Sequence, residues 1–282
     1  MISLDKKFLI VGLGLIGGSY ASKLSSLGYK VYALDLNDEA LEFGYGNSFI
    51  LNKDNDINLV KECDYIILCL YPLDCIKWIK DNKHLIKKDC IVSDVSGVKS
   101  NYVRVIQNEL ENNEFISMHP MAGKEKSGVF YSDYSIFKNA NMIIIQNELN
   151  SDRGLDFAFS LSRLLEFKNI EVLDEVSHDK MVSFLSELPH VIAMCLMNSR
   201  DNESLERFSG DSFRDLTRIA KINENLWSEL FILNKDILVK DIESFIDCLN
   251  DLKDKIKDSK EEDIKELMRE STKRRKEFER WC

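Results

Sequence analysis

Several features that would mark a membrane or secreted protein are absent from this 282-residue sequence. The longest uninterrupted apolar run, residues 65–71, is far shorter than the roughly 20 residues needed to span a bilayer. The first residues, MISLDKKF, lack the long apolar core of a secretory signal. The sequence therefore predicts no membrane-spanning segment, and we expect a cytoplasmic protein.

Motifs for metal binding and for disulfide frameworks are also missing. The seven cysteines include no C-x-x-C pair, and the spacing of Cys63, Cys69 and Cys75 suits neither a zinc site nor a set of disulfides. The four histidines form no H-E-x-x-H motif. We therefore predict no metal site.

Positive charge is in deficit, since 48 Asp and Glu outnumber 38 Lys and Arg and give a net charge of −10. Nucleic-acid affinity rests on neutralising phosphates with basic side chains, so this balance disfavours a nucleic-acid partner. The hydrophobic fraction of 44% is that of a globular protein, and the length allows two domains.

The strongest positive signal is the stretch FLIVGLGLIGGSY at residues 8–20. Its apolar start predicts a buried strand, and Gly12, Gly14 and Gly17 then follow in the G-x-G-x-x-G spacing before a helical pattern. Gly12 permits a tight turn, Gly14 leaves room for a pyrophosphate, and Gly17 lets the helix pack closely on the strand. The N–H groups at the start of that helix would face the phosphates. The predicted cofactor-binding turn is completed by Leu13, Leu15 and Ile16.

Asp35 follows the next predicted strand, residues 29–34, and lies 23 residues beyond Gly12. An acid at this point accepts hydrogen bonds from the adenosine ribose hydroxyls and would repel a 2′-phosphate. The alternative role is an N-cap for the following helix, although Asn37 or Asp38 could fill it. We therefore predict NAD rather than NADP as the cofactor.

Strands and helices alternate over the first 173 residues, which predicts a doubly wound, largely parallel sheet of the Rossmann type. The predicted strands lie at residues 8–11, 29–34, 50–56 (a short strand and turn), 63–70, 90–94, 115–118, 141–145 and 170–173.

Only helical patterns occur from residue 174 onward. Asp174 can cap a long helix that Pro189 should kink, and further helices are predicted near residues 203–220, 223–249 and 251–280. We therefore predict an α/β NAD-binding domain at residues 1–173 and an all-α domain at residues 174–282.

Two polar segments, residues 94–99 and 119–128, follow predicted strands, where ligands bind in open parallel sheets. His119 is the sharpest candidate because it stands directly before Pro120, which pushes the preceding residue toward extended geometry. An imidazole with an ordinary pKa of about 6.5 can accept the hydroxyl proton that leaves when a carbinol is oxidised. The alternative is a structural histidine held in a loop.

The helical part offers further candidates. Ser186 and His190 are four residues apart and share a helix face, and Arg218 could hold a carboxylate with its forked donors. The alternative for the arginines is ion pairing within the helix, for which the sequence offers Asp211–Arg214 and Asp215–Arg218.

Five segments resemble the prephenate dehydrogenase family, the oxidative decarboxylases of tyrosine biosynthesis. They are VGLGLIGGSYA at 11–21, DVSGVKS at 94–100, HPMAGKEKSGV at 119–129, SELPH at 186–190 and DLTRIAK at 215–221. They run in the family's order. The resemblance implies an NAD-dependent homodimer with a Rossmann-type domain followed by a helical dimerisation domain.

The resemblance also implies roles for individual residues. His119 would accept a hydrogen bond from the ring 4-hydroxyl of the substrate, and Arg218 would hold a substrate carboxylate. The pocket would be completed by the polar residues Ser186 and His190 and by a mobile loop at its mouth containing Glu125 and Lys126.

Two departures from the family pattern leave alternatives open. The family often reads Gly-Ser-Val-Lys where this sequence has Ser96-Gly97-Val98-Lys99, so Ser96 is the stand-in for a serine that orients the histidine. Glu187 replaces a second pocket histidine, and its carboxylate could contact the ammonium of arogenate, which makes an arogenate dehydrogenase the nearest alternative. A β-hydroxyacid dehydrogenase would need a catalytic lysine motif that we do not find, and a non-catalytic NAD-binding sensor would not need His119.

Overall fold

The computed structural model describes residues 2–124, 126–201 and 204–279. One seven-stranded sheet has the order β2-β1-β3-β4-β5-β6-β7, and every neighbouring pair is parallel except β5 and β6. The strands are β1 (Lys7–Val11), β2 (Lys30–Leu34), β3 (Tyr65–Leu68), β4 (Ile91–Asp94), β5 (Glu114–Pro120), β6 (Asn141–Ile145) and β7 (Asn169–Leu173). This arrangement confirms the predicted fold class.

Helices cover both faces of the sheet and make up most of the described residues after β7. They are α1 (Leu15–Ser26), α2 (Asp38–Gly46), α3 (Pro72–Asn82), α4 (Val103–Glu109), α5 (Asp152–Leu164), α6 (Glu175–Val182), α7 (Leu188–Asn198), α8 (Asp211–Thr217), α9 (Glu224–Leu233), α10 (Lys235–Lys257) and α11 (Glu261–Glu279). The chain divides into two compact units, residues 1–234 with the sheet and α1–α9, and residues 235–282 with α10 and α11.

The sheet is buried on both faces because successive residues of its central strands point to opposite sides. In β1, Phe8 and Ile10 belong to one apolar cluster, whereas Leu9 and Val11 belong to the other. All four side chains are at most 3% exposed. Such two-sided burial explains why the strands read as continuous apolar runs.

The prediction of a short strand at residues 50–56 is wrong, because these residues form no strand. The N–H of Leu51 donates to the carbonyl of Val31 in the edge strand β2. The next residue, Asn52, bonds to β2 through its side chain instead of its backbone. The Asn52 amide accepts from the N–H of Ala33 and donates to its carbonyl, so the edge of β2 is closed without a further strand. A short 3₁₀ turn, Ile57–Lys61, follows.

The predicted helix boundaries after residue 200 are also wrong. Among the described residues 204–220, α8 is the only regular helix, and short 3₁₀ turns lie before and after it. The predicted helix 223–249 is interrupted at Asn234, and α10 then continues through residues 249–251. The later break falls at Ser259, whose φ of 55° is left-handed.

A π-helical turn, Ser183–Glu187, joins α6 to α7 immediately before Pro189. A proline cannot donate the helical hydrogen bond, and the wider turn accommodates this loss at the predicted kink. The helical run Glu175–Asn198 has a mean hydropathy of 1.3 and is long and apolar enough to cross a bilayer. It also carries polar side chains that are buried against the rest of the protein, including His178 and Asp179.

Candidate active site

The glycine turn between β1 and α1 has the geometry of a phosphate-binding loop. Gly12 has a φ of +93°, and a Cβ there would lie 2.6 Å from the carbonyl oxygen of Cys69. A Cβ on Gly17 would lie 2.0 Å from the Gly12 oxygen, so the helix starts directly against the turn. A Cβ on Gly14 would meet nothing within 4 Å, which leaves open space beside the N-terminus of α1. The residues present therefore fit a dinucleotide.

Asp35 lies at the end of β2 beside this turn. Its carboxylate accepts from the N–H of Leu13 at 2.5 Å and from the N–H of Asn37 at 2.8 Å. The N-cap of α2 is Asn37, whose side chain accepts from Glu39. The N-cap role therefore belongs to Asn37, and the contact of Asp35 with the ribose stays a prediction.

His119 is held by β5 beyond the end of β4. It pairs with Ile143 of the antiparallel strand β6, and Pro120 pairs with Met142. The strand thus runs two residues further than predicted, and His119 is a half-buried residue. Pairing on one side only fixes the backbone of His119 while leaving its side chain at the edge where ligands bind.

A hydrogen-bonded chain leads from His119 into the protein. His119 Nδ1 lies 2.9 Å from His178 Nε2, and His178 Nδ1 lies 2.8 Å from Asp179 Oδ1. The Asp179 carboxylate also accepts from the backbone N–H of Lys99 at 2.9 Å and of Ser100 at 2.7 Å. The chain therefore ties β5, α6 and the loop after β4 together.

The partners of this chain assign the tautomers. Burial opposes ionisation of Asp179, but the hydrogen bonds from His178 and Ser100 outweigh it and lower the pKa of the carboxyl. An ionised carboxylate only accepts, so the proton of His178 lies on Nδ1 and its Nε2 accepts from Nδ1–H of His119. Nε2 of His119 is then the unprotonated nitrogen, as a proton acceptor requires.

The charge states agree with this assignment. Burial, helped by repulsion from His178 and Lys99, lowers the pKa of His119 well below its ordinary value of 6.5. Burial also lowers the pKa of His178, although its bond to Asp179 opposes the shift. Both rings are therefore neutral at pH 7.

Lys99 holds the strand ends beneath His119. Its ammonium, fully buried, donates to Asp94 Oδ2 at 3.1 Å, to Ser117 Oγ at 2.7 Å and to the Met118 carbonyl at 2.8 Å. All three donors are used, which satisfies a buried cation. Burial lowers the pKa of Lys99, while the Asp94 carboxylate opposes the shift. The cluster rigidly joins β4 to β5 just before His119.

Ser96 is 5% exposed, and its hydroxyl donates to the Val98 carbonyl at 3.3 Å within its own loop. Gly97 of the same loop lies beside the histidine, because a Cβ there would be 3.9 Å from His119 Cε1. The loop therefore borders His119 through Gly97, whereas the hydrogen bond that orients the ring is the one that His119 donates to His178.

Ser186 lies in the π-helical turn, and His190 lies one turn further along, in α7. His190 Nδ1 donates to the Ser186 carbonyl at 2.8 Å, which leaves Nε2 as the acceptor. Burial lowers the pKa of His190, so the ring is neutral at pH 7. It stacks on Trp227 of α9 with ring centroids 3.7 Å apart.

Arg218 and Lys126 line one cavity of about 710 Å³. The other lining residues are Gly123, Lys124, Phe130, Tyr131, Ser132, Asp133 and Lys221. His119, Ser186 and His190 are not among them. Lys124 pairs with Asp133 at 2.9 Å, and Lys126 lies over the Tyr131 ring. Glu125 lies outside the described residues.

Two of the residues left open by the sequence have defined partners. The ion pair Asp211–Arg214 forms, with Nη2 and Oδ1 2.5 Å apart. Glu187 is 1% exposed, and its Oε2 accepts from the Asn234 amide at 2.8 Å. The Glu187 carboxylate therefore binds the side chain of the residue at which α9 ends.

Sequence reasoning missed His178 and Asp179. Their signal was a His-Asp dipeptide in the first helical turns after Asp174, immediately beyond the last strand. Asp174 does cap α6, since its carboxylate accepts from Ser177. The dipeptide thus stands at the point where the chain leaves the sheet, and only the folded structure brings it to His119.

Two family models match the chain. The prephenate dehydrogenase nucleotide-binding domain matches residues 20–168, and the prephenate dehydrogenase dimerization domain matches residues 174–270. A prephenate dehydrogenase of Lactococcus lactis subsp. cremoris is 30% identical, over 97% of this chain and 78% of that protein. A cyclohexadienyl dehydrogenase of Zymomonas mobilis subsp. mobilis is 27% identical, over 96% of this chain and 95% of that protein.

A solved structure extends the likeness to three dimensions. Prephenate dehydrogenase of A. aeolicus, in complex with hydroxyphenyl propionate and NAD+, superposes with a TM-score of 0.90 at 29% identity, covering 98% of this chain and 99% of that one. The matched nucleotide-binding domain and this NAD+ complex give NAD as the cofactor. With both family models matched in order along one oxidoreductase chain, the protein belongs to the prephenate dehydrogenase family.

Proposed function

We propose that this protein is an NAD-dependent prephenate dehydrogenase, which converts prephenate to 4-hydroxyphenylpyruvate in tyrosine biosynthesis. The observation that carries the proposal is the hydrogen-bonded chain from His119 through His178 to Asp179. It lies at the carboxyl-terminal end of the parallel strands, as the cofactor turn does. It provides a neutral imidazole whose Nε2 accepts a proton from a substrate hydroxyl.

The reaction needs little covalent chemistry from the protein. NAD+, when bound, supplies the hydride acceptor. Prephenate loses a hydride from C4 and carbon dioxide from C1, and the ring becomes aromatic, which drives the reaction forward. His119 Nε2 accepts the hydrogen bond of the 4-hydroxyl and takes its proton as the C–H bond at C4 breaks. It returns this proton to the phenolate oxygen once carbon dioxide has left. Arg218 binds a substrate carboxylate. The protein then has only to align C4 of the substrate with the nicotinamide of the cofactor.

Charge favours prephenate over arogenate. The cavity at Arg218 is lined by four cations, Lys124, Lys126, Arg218 and Lys221, against the single carboxylate of Asp133. Such a surplus suits the two carboxylates of prephenate better than an added ammonium. The reason to consider arogenate was Glu187, whose side chain is buried and whose Oε2 accepts from the Asn234 amide.

The remaining proposals concern assembly and location. We assign residues 1–173 to cofactor binding and 174–282 to substrate binding and dimerisation in a cytoplasmic homodimer. Support for a dimer comes from the matched dimerization domain and from α10, where exposed apolar residues recur at coiled-coil spacing. The residues are Val239, Ile246, Leu249 and Ile256. Light scattering should give twice the chain mass of 32.6 kDa.

Arg218→Ala should raise the KM for prephenate by about tenfold to a hundredfold and leave the KM for NAD+ unchanged, because it removes one charged hydrogen-bonding partner of a carboxylate. Steady-state kinetics with each substrate varied in turn measures this. Arg214→Ala, which removes the ion pair with Asp211 and a bond to the Ser209 carbonyl, is the matched control. An unchanged prephenate KM in the Arg218 variant would remove Arg218 from the substrate site.

One assay tests the proposed function. The purified protein is offered prephenate or arogenate with NAD+ or NADP+, and NADH formation and aromatic product are followed together. We expect turnover of prephenate with NAD+ and at least tenfold lower kcat/KM with NADP+, because Asp35 repels the extra phosphate. A preference for arogenate would correct the substrate, and no turnover of either compound would refute the function.

A further inference from the structure

Helix α9 (Glu224–Leu233) contacts two separate parts of the candidate site. Trp227 stacks on His190 with ring centroids 3.7 Å apart. One turn later Leu230, which is 8% exposed, lies against the loop after β4, since a Cβ on Gly97 would be 3.4 Å from Leu230 Cδ2. Gly97 is the neighbour of His119 described above. Helix α9 therefore contacts both His190 and the loop beside His119.

Between these two contacts, α9 presents Glu229 to the start of another helix. Glu229 Oε1 accepts from the backbone N–H of Leu73 at 2.8 Å, across 156 residues of sequence. Leu73 is the second residue of α3, and the N-cap residue Tyr71 provides no side-chain cap of its own. Glu229 thus supplies both the missing acceptor and a negative charge at the positive end of α3.

The capped helix begins beside the cofactor turn. Cys69 and Leu70, which precede α3, are the residues that a Cβ on Gly12 would strike, at 2.6 Å and 2.8 Å. The bond from Leu73 to Glu229 therefore lies three residues from the wall of the glycine turn. It connects that wall to the helix that carries Trp227 and Leu230.

A second bond joins the same two regions. Asn223 caps α9, because its Oδ1 accepts from the N–H groups of Asn225 and Leu226. Its Nδ2 donates at the same time to the hydroxyl of Tyr71 at 2.9 Å. The first two turns of α9 are thus bonded, at Asn223 and at Glu229, to residues around the start of α3.

We propose that Glu229 is a positioning residue, whose carboxylate holds α9 against the N-terminus of α3 and so aligns the substrate pocket at His190 with the cofactor turn and His119. It touches neither substrate nor cofactor. Its effect passes through Trp227 and Leu230. The kinetic expectation rests on the proposed function, whereas the contact itself does not.

Three variants test the kinetic effect. Glu229→Ala should lower kcat/KM for prephenate about tenfold, since small misplacements of reacting groups are costly, while the Kd for NAD+ alone stays within twofold. Glu229→Gln keeps an oxygen that accepts from Leu73 and should recover most of the loss. Glu224→Ala, an exposed glutamate of the same helix, is the matched control and should behave as wild type. A kcat/KM within twofold of wild type in Glu229→Ala, or no recovery in Glu229→Gln, would overturn the proposal.

Hydrogen–deuterium exchange of the full-length protein tests the contact without any substrate. In Glu229→Ala, exchange should accelerate both in the first turn of α3 and in α9, and Glu229→Gln should restore protection in both. Faster exchange in α3 alone would show a helix cap with no hold on α9 and would overturn the proposal. If wild type turns over neither prephenate nor arogenate, the proposed function fails, and the exchange result still decides whether Glu229 holds the two helices together.

Discussion

His119→Asn lowers kcat with prephenate by about a thousandfold and leaves the Kd for NAD+ unchanged. Asparagine occupies similar space but cannot accept the substrate proton, and placed general bases contribute about 10²- to 10⁴-fold. The glycine turn and Asp35 are untouched, so cofactor affinity should stay as it is. Stopped-flow or steady-state NADH formation measures the rate, and calorimetry measures the NAD+ affinity.

The matched control is His84→Asn, which changes the same residue type at an exposed position in the 3₁₀ turn after α3. It should keep wild-type kinetics. If His119→Asn retains more than a tenth of the wild-type kcat, the hydroxyl proton goes to another acceptor and the role given to His119 is wrong.

Asp179→Asn should lower kcat by on the order of a hundredfold, although Asp179 lies behind two histidines and contacts no substrate in this account. The neutral amide no longer holds the His178 proton on Nδ1, so His178 can present N–H instead of a lone pair to His119. The Nε2 of His119 would then carry the proton in part of the molecules, and loss of a tautomer-fixing carboxylate can cost several powers of ten.

Two further variants separate this effect from general damage. Asp174→Asn, at the N-cap of the same helix, keeps a good capping side chain and should leave kcat unchanged. The double variant of His119→Asn with Asp179→Asn should be no slower than His119→Asn alone, because residues acting as one unit are non-additive. A further hundredfold loss in the double variant would mean that Asp179 acts by another route.

Local sequence was sufficient to predict NAD as the cofactor. The glycine spacing, the strand before it and Asp35 after the next strand lie within 28 residues. Such a motif can be read from residues that are close together in the chain. The prediction of His119 rests on local signals too, since its position before Pro120 and after an apolar run is visible in the sequence.

The parts that could not be predicted depend on distant contacts. His178 meets His119 across 59 residues, and neither the antiparallel turn of β6 nor the buried Lys99 cluster leaves a periodic signal. The break between α9 and α10 follows from Asn234, whose side chain bonds Glu187 and the Asp179 carbonyl. The helix therefore ends at Asn234 because of hydrogen bonds to residues that are distant in the sequence.

The measurement that tests the central claim most directly is ¹⁵N NMR of the histidine rings in the full-length protein with NAD+ bound. At pH 7, His119 should show a protonated Nδ1 and an unprotonated Nε2, with Nδ1 coupled to the ring of His178. On acidification its pKa should lie well below 6.5, because burial and the nearby positive charges oppose a second proton. An imidazolium at pH 7, or a proton on Nε2, would contradict the account, because His119 could not then accept the substrate proton.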